Sequence, residues 1–185
     1  MAFVAQLWLP ILLSSLFVFF ASALAWMVMP HHQKEWGKLP SQDAVLAALR
    51  AQPAPPGLYT VPGVNNPADR KDPAWRAELE RGPSAMITLR PGGMPPMGGT
   101  MFKSYLGNVV VAFFCAYIAS HVLAPTANYL EVFRVVSTLG FMSYCFASIQ
   151  ESIWFGRPWS SFIRQAFDAL VWGCLMGGTF GWLWK

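Results

Sequence analysis

The sequence predicts an all-α integral membrane protein with four transmembrane helices and a partly ordered, Pro/Gly-rich polar insert between the first and the second. Three observations predict it. Of the 185 residues, 55% are hydrophobic and only 12% are charged, where soluble domains carry roughly 25% charge. Four apolar stretches are each long enough, or nearly so, to cross a hydrocarbon core that needs ~20 residues. Aromatic residues mark nearly every crossing, as expected where Trp and Tyr anchor at the headgroups.

The first span is Leu7 to Met29, and no charged residue occurs before Pro30. Ala23-Leu24-Ala25 mimics a signal-peptidase site, but the basic segment that opens a signal peptide is missing. An uncleaved anchor is therefore expected. Trp8 and Trp26 stand at its two ends.

Residues 30–105 form the polar insert. Asp72-Pro73 before Ala74 to Arg81, with Gly82-Pro83 after, supplies an N-cap, a proline at the first helical position and a glycine past the end. A short helix is expected there and another over Ser41 to Ala51, closed by Pro53. Leu58 to Val61 and Ala85 to Leu89 can pair as two short strands. The run from Arg90 to Gly99, rich in Pro and Gly, reads as a loop leading into the second span.

The second span is Leu106 to Leu123, ended by Pro125, with Asn108 and His121 as its strongly polar residues. The third, Leu130 to Phe155, has Glu131 and Arg134 at its start and Gln150 and Glu151 near its end, where charges can snorkel. The fourth, Phe162 to Trp184, places Ala169, Gly173, Gly177 and Gly181 four residues apart on one helix face. Such small-residue strips let helix backbones approach closely in lipid. Ala112, Ala116 and Ser120 form a second strip on the second span. Segments 1–29, 30–105 and 106–185 thus divide into one helix, an insert and a three-helix transmembrane region.

Lys34, Lys38, Arg90, Lys103, Arg157 and Arg164 flank the membrane on the insert side, against Arg134 and Lys185 on the other. Basic residues favour the cytoplasmic side. A multi-pass protein of the bacterial inner membrane with a cytoplasmic insert is the expected topology. The net charge of +4 is dispersed, so no nucleic-acid surface is expected.

Candidate chemistry is sparse. No P-loop, G-x-S-x-G, H-E-x-x-H or C-x-x-C pattern occurs, and Cys115, Cys145 and Cys174 lie in three different spans. His121 is the one histidine inside a span and the candidate for a single-histidine pigment or haem contact. It stands 15 residues beyond Leu106, about 22 Å along a helix, which puts it at the opposite membrane face from His31 and His32. Those two, with Met94 and Met97, are weak candidates for copper, which thioether and imidazole ligands accept. Asp168 lies four residues from Arg164 and Glu131 three from Arg134, so each pair is expected to neutralise itself on its own helix. Glu151, Arg157, Arg164 and Asp168 are the expected ionic network between the third and fourth spans. No cofactor is expected.

The run Trp26-Met27-Val28-Met29-Pro30-His31-His32, then Trp36 and Leu39-Pro40, with Ile153 to Trp159 and the ending Phe180 to Trp184, resembles a family of small bacterial membrane proteins of unassigned activity. It is similar, more distantly, to a family of small four-span proteins whose domain has no known function. The resemblance implies the four-span fold and brings no activity or site residues. From packing strips without catalytic motifs, the expected function is a non-catalytic accessory or scaffold subunit of a larger membrane assembly, of respiratory or photosynthetic type. Its partners would be lipids and other transmembrane subunits or itself. A small self-associating transporter or channel is the alternative, with Asp168 meeting the permeant, and a membrane enzyme comes third.

Overall fold

The computed structural model describes residues 2–184, the side chains of Ala2 and Lys34 excepted. Lys185 and the Lys34 side chain, both counted in the charge balance, lie outside the described residues. Helix α1 (Ala2–Met27) is followed by a 3-10 turn, Pro30–Glu35. Then come α2 (Gln42–Ala51), β1 (Gly57–Val61), a second 3-10 turn (Pro67–Lys71), α3 (Pro73–Arg81) and β2 (Ala85–Leu89). Helices α4 (Met97–Val122), α5 (Tyr129–Cys145), α6 (Ala147–Phe155) and α7 (Trp159–Leu183) follow. Four segments are long and apolar enough to cross a membrane: Phe3–Met27, Met97–Val122, Tyr129–Phe155 and Trp159–Leu183. This is the architecture of an all-α multi-pass membrane protein.

The chain divides into two compact units, one made of Met1–Gly37 with Pro95–Lys185 and the other of Lys38–Met94. In the first, α5 lies along α7, while α1 packs on both α4 and α7. One core joins Leu7, Ile11 and Val18 of α1, Ala112, Cys115, Ala116 and Ala119 of α4, Val132 and Val136 of α5, and Trp172, Met176 and Phe180 of α7.

Two features differ most from the sequence expectation. Helix α4 begins at Met97 rather than near Leu106, running through Gly98-Gly99. Once the apolar run has nucleated a helix, each further residue adds a hydrogen bond without a new nucleation cost, and Thr100 N–H closes the first turn on the Pro96 carbonyl. The third span is two helices, broken at Phe146. There the Ser148 hydroxyl takes the Cys145 carbonyl, and Ile149 N–H bonds back three residues to Phe146 rather than four. A side chain competing for the ladder and a tightened turn together break the helix. At its other end, α6 stops on Gly156, whose φ of +67° few other residues adopt, ahead of Pro158.

The small residues of α7 face α5. A Cβ on Gly173 would stand 2.6 Å from the Ser137 carbonyl oxygen, and one on Gly177 would stand 2.8 Å from that of Phe133. Gly181 faces the Tyr129 ring, and Ala169 is fully buried. Gly140 of α5 completes the seam from the other side, since a Cβ there would lie 3.0 Å from the Gly173 Cα. On α4, Ala112 and Ala116 sit in the core, while Ser120 turns its hydroxyl to the Tyr117 carbonyl.

In the second unit, Asp72 caps α3 by accepting from Ala74 N–H, and Gly82 closes it at φ +57°. Strands β1 and β2 pair antiparallel, from Gly57 opposite Leu89 to Val61 opposite Ala85. None of the residues of this unit is buried.

Candidate functional site: a histidine and carboxylate cluster at the end of helix α1

Pro30 lacks the N–H that would continue α1 and fixes its own φ, so the chain leaves the helix and coils once as a 3-10 turn. In that geometry residues three apart stack on one side. His32 and Glu35 are such a pair, and the His32 Nδ1 donates to Glu35 Oε1 at 2.6 Å. The ring of Trp26, in the last turn of α1, lies flat on the His32 imidazole, centroids 3.9 Å apart and planes 4° from parallel. The imidazole is thereby fixed in both plane and tilt.

Asp168 meets this turn from α7. It is the tenth residue of that helix, about 14 Å along its axis from the first. His31 Nε2 reaches its Oδ1 at 3.0 Å and His32 Nε2 its Oδ2 at 2.7 Å. The side chains of His32, Glu35 and Asp168 are only 2–4% exposed, while His31 at 23% forms the open edge. Charges so buried persist only when paired and hydrogen-bonded. Each ring nitrogen of His32 thus has a carboxylate oxygen within hydrogen-bond distance, Glu35 on one side and Asp168 on the other.

Glu35 carries the network onward. Its Oε2 accepts from Arg157 at 3.4 Å, and Arg164 stands 3.8 Å from its Oε1. Arg157 also holds Glu151 at 2.6 Å. Burial pushes the Glu35 carboxyl up, but the hydrogen bonds and charges of His32 and Arg157 outweigh it and leave it below its ordinary value.

The expected pairing of Asp168 with Arg164 is therefore corrected: Asp168 takes the two histidines and Arg164 turns to Glu35. The folded-back turn places rings against Asp168, and a partner fixed by tertiary packing displaces one that is merely near in sequence. Glu131 likewise bonds back to the Asn128 N–H at 2.9 Å while Asn128 accepts from Glu131 N–H, a capping box on α5, instead of pairing with Arg134.

His121 takes no part in the cluster; its Nδ1 donates to the Tyr117 carbonyl one turn back at 2.7 Å. Met94, 89% exposed, belongs to the second unit, and Met97 stands exposed at the start of α4. The residues that the sequence reading missed are Glu35 and Trp26. The signal for the first was present: a proline after the span, then His and Glu three apart.

No protein-family model, curated protein or solved structure matches the chain.

Proposed function

We propose that the protein is a non-catalytic subunit that assembles with a larger membrane protein complex, its insert held in the cytoplasm as the basic residues near the spans favour. The supporting observation lies in the insert rather than in the glycine strip, because that strip is filled by α5 of the same chain. Unit Lys38–Met94 has two helices and a two-stranded sheet but no buried residue. On one face of the sheet Leu58 is 84% and Met86 56% exposed, and Val45 and Leu46 of α2 are exposed as well. A segment of this size is hard to stabilise without a core, and exposed apolar side chains grouped on an ordered element mark a contact surface.

The transporter reading needs Asp168 free to meet a permeant ion, whereas both of its oxygens are engaged by histidines. The assembly reading predicts that a photo-crosslinking residue at position 58 or 86 yields, in native membranes, a discrete adduct with another protein. An adduct of two 20.5 kDa chains, or labelling of lipid alone, would overturn it.

A further inference from the structure

We propose that His31, His32 and Asp168 form a binding site for one divalent first-row transition metal ion, with zinc the ion best suited to the donor set. Both histidines converge on one carboxylate: His31 Nε2 lies 3.0 Å from Asp168 Oδ1 and His32 Nε2 lies 2.7 Å from Asp168 Oδ2. The two ring centroids are 4.2 Å apart. Three side chains of metal-ligating type thus direct donor atoms into one small volume, the arrangement a single shared cation requires.

Two donors bonded to one zinc at about 2.0–2.1 Å stand roughly 3–3.4 Å from each other. The histidine nitrogens lie 3.0 and 2.7 Å from the carboxylate oxygens, and one donor atom from each of the three residues falls within 4.8 Å of the others. Closure around an ion therefore takes up to about 1.4 Å of movement from the most widely spaced donors, which His31 at the open edge can supply by turning about its side-chain bonds.

Behind the donors stands a carboxylate. Metal-ligating histidines characteristically donate their other ring N–H to a carboxylate, which fixes tautomer and orientation. Glu35 is in that position behind His32 Nδ1, and Trp26 fixes the ring plane. An ion would be bound through Nε2 atoms free of protons, with His32 keeping its Nδ1–H on Glu35. Two imidazoles and a carboxylate without thiolate or thioether suit zinc and its first-row neighbours rather than Cu(I). The partly exposed His31 edge gives the ion a way in.

The test uses the full-length chain purified in detergent without a polyhistidine tag, stripped with a chelator and titrated with Zn(II) and, separately, with Co(II) as a visible reporter. One ion per chain is expected, with a cobalt d–d absorption of nitrogen and oxygen ligation. His31→Ala leaves the His32 bridge between Glu35 and Asp168 in place, so the variant keeps its fold; its zinc affinity should fall at least tenfold. Asp168→Asn should abolish stoichiometric binding, Glu35→Gln should weaken it about 10- to 100-fold, and His121→Ala should leave it unchanged. Absence of stoichiometric zinc in the wild-type chain, or His31→Ala binding zinc as tightly as wild type, would overturn the proposal. Should Asp168→Asn not fold, the His31→Ala comparison decides alone.

Discussion

Gly173→Ala puts the α5–α7 seam to the test with a single methyl group. The new Cβ would stand 2.6 Å from the Ser137 oxygen and 2.9 Å from the Phe141 nitrogen. Both are backbone atoms of α5 and cannot rotate aside. Carbon–oxygen contacts between packed backbones settle near 3.3–3.6 Å, so α5 would have to retreat by roughly 0.7 Å. Overpacking of this kind costs ~1–3 kcal/mol. Against it stands the gain from replacing glycine inside a helix, about 1 kcal/mol. The clash wins because the obstructing atoms belong to a helix, and a net loss of about 1–2 kcal/mol is expected. Gly178 is the control one position along from the seam's Gly177, where the nearest atom to a new Cβ is the Tyr129 hydroxyl oxygen at an ordinary 3.6 Å. Gly178→Ala should therefore be stabilising by up to about 1 kcal/mol. Reversible unfolding in mixed micelles titrated with SDS, followed by tryptophan fluorescence, reads both. A Gly173→Ala chain as stable as Gly178→Ala would refute the close approach of the two helices.

Three further outcomes are expected from the same unfolding assay. Asn128→Ala, which removes the cap of α5, should cost ~0.5–2 kcal/mol, with Glu131→Gln costing less because its amide can still accept from the Asn128 N–H. Glu35→Ala removes the acceptor that joins His32 to Arg157 and should cost about 3–5 kcal/mol, the range for breaking a buried ion pair by deleting one partner, whereas Glu78→Ala, in an exposed pair with Arg81, should stay within about 0.5 kcal/mol. His121→Ala, which removes one local hydrogen bond at an exposed position, should change stability by less than about 1 kcal/mol.

The four crossings were legible because a bilayer imposes length and polarity on any segment that spans it, and Leu7, Val136 or Phe180 belongs to such a run whatever it packs against. The ends of α3 were legible for a local reason: Asp72, Pro73 and Gly82 act on backbone groups within a few residues. Interruptions inside a span were harder to see. Nothing in the run Cys145-Phe146-Ala147-Ser148 distinguishes a serine that takes its own helix's carbonyl from one that faces a neighbour. The cluster was the least legible, since His32 and Asp168 are joined only through the packing of α1 on α7. Sequence proximity offered Arg164 as the partner of Asp168, and proximity along a helix could not weigh the turn that Pro30 directs back over α7. The small-residue strip on α7 was visible as a pattern, but which surface fills it depended on Gly140 and Ser137 of α5.

The histidine turn and its aspartate also impose an order on biosynthesis. His32 and Asp168 are 136 residues apart, which at ~5–20 residues per second means roughly 7–27 s of translation between the two. Throughout that interval His31, His32 and Glu35 are made but have no Asp168 to meet. The contact that fastens the first helix is thus supplied by the last one. A chain stalled or cut before α7 lacks the aspartate and the seam together, and its histidine turn is left without the carboxylate it closes on.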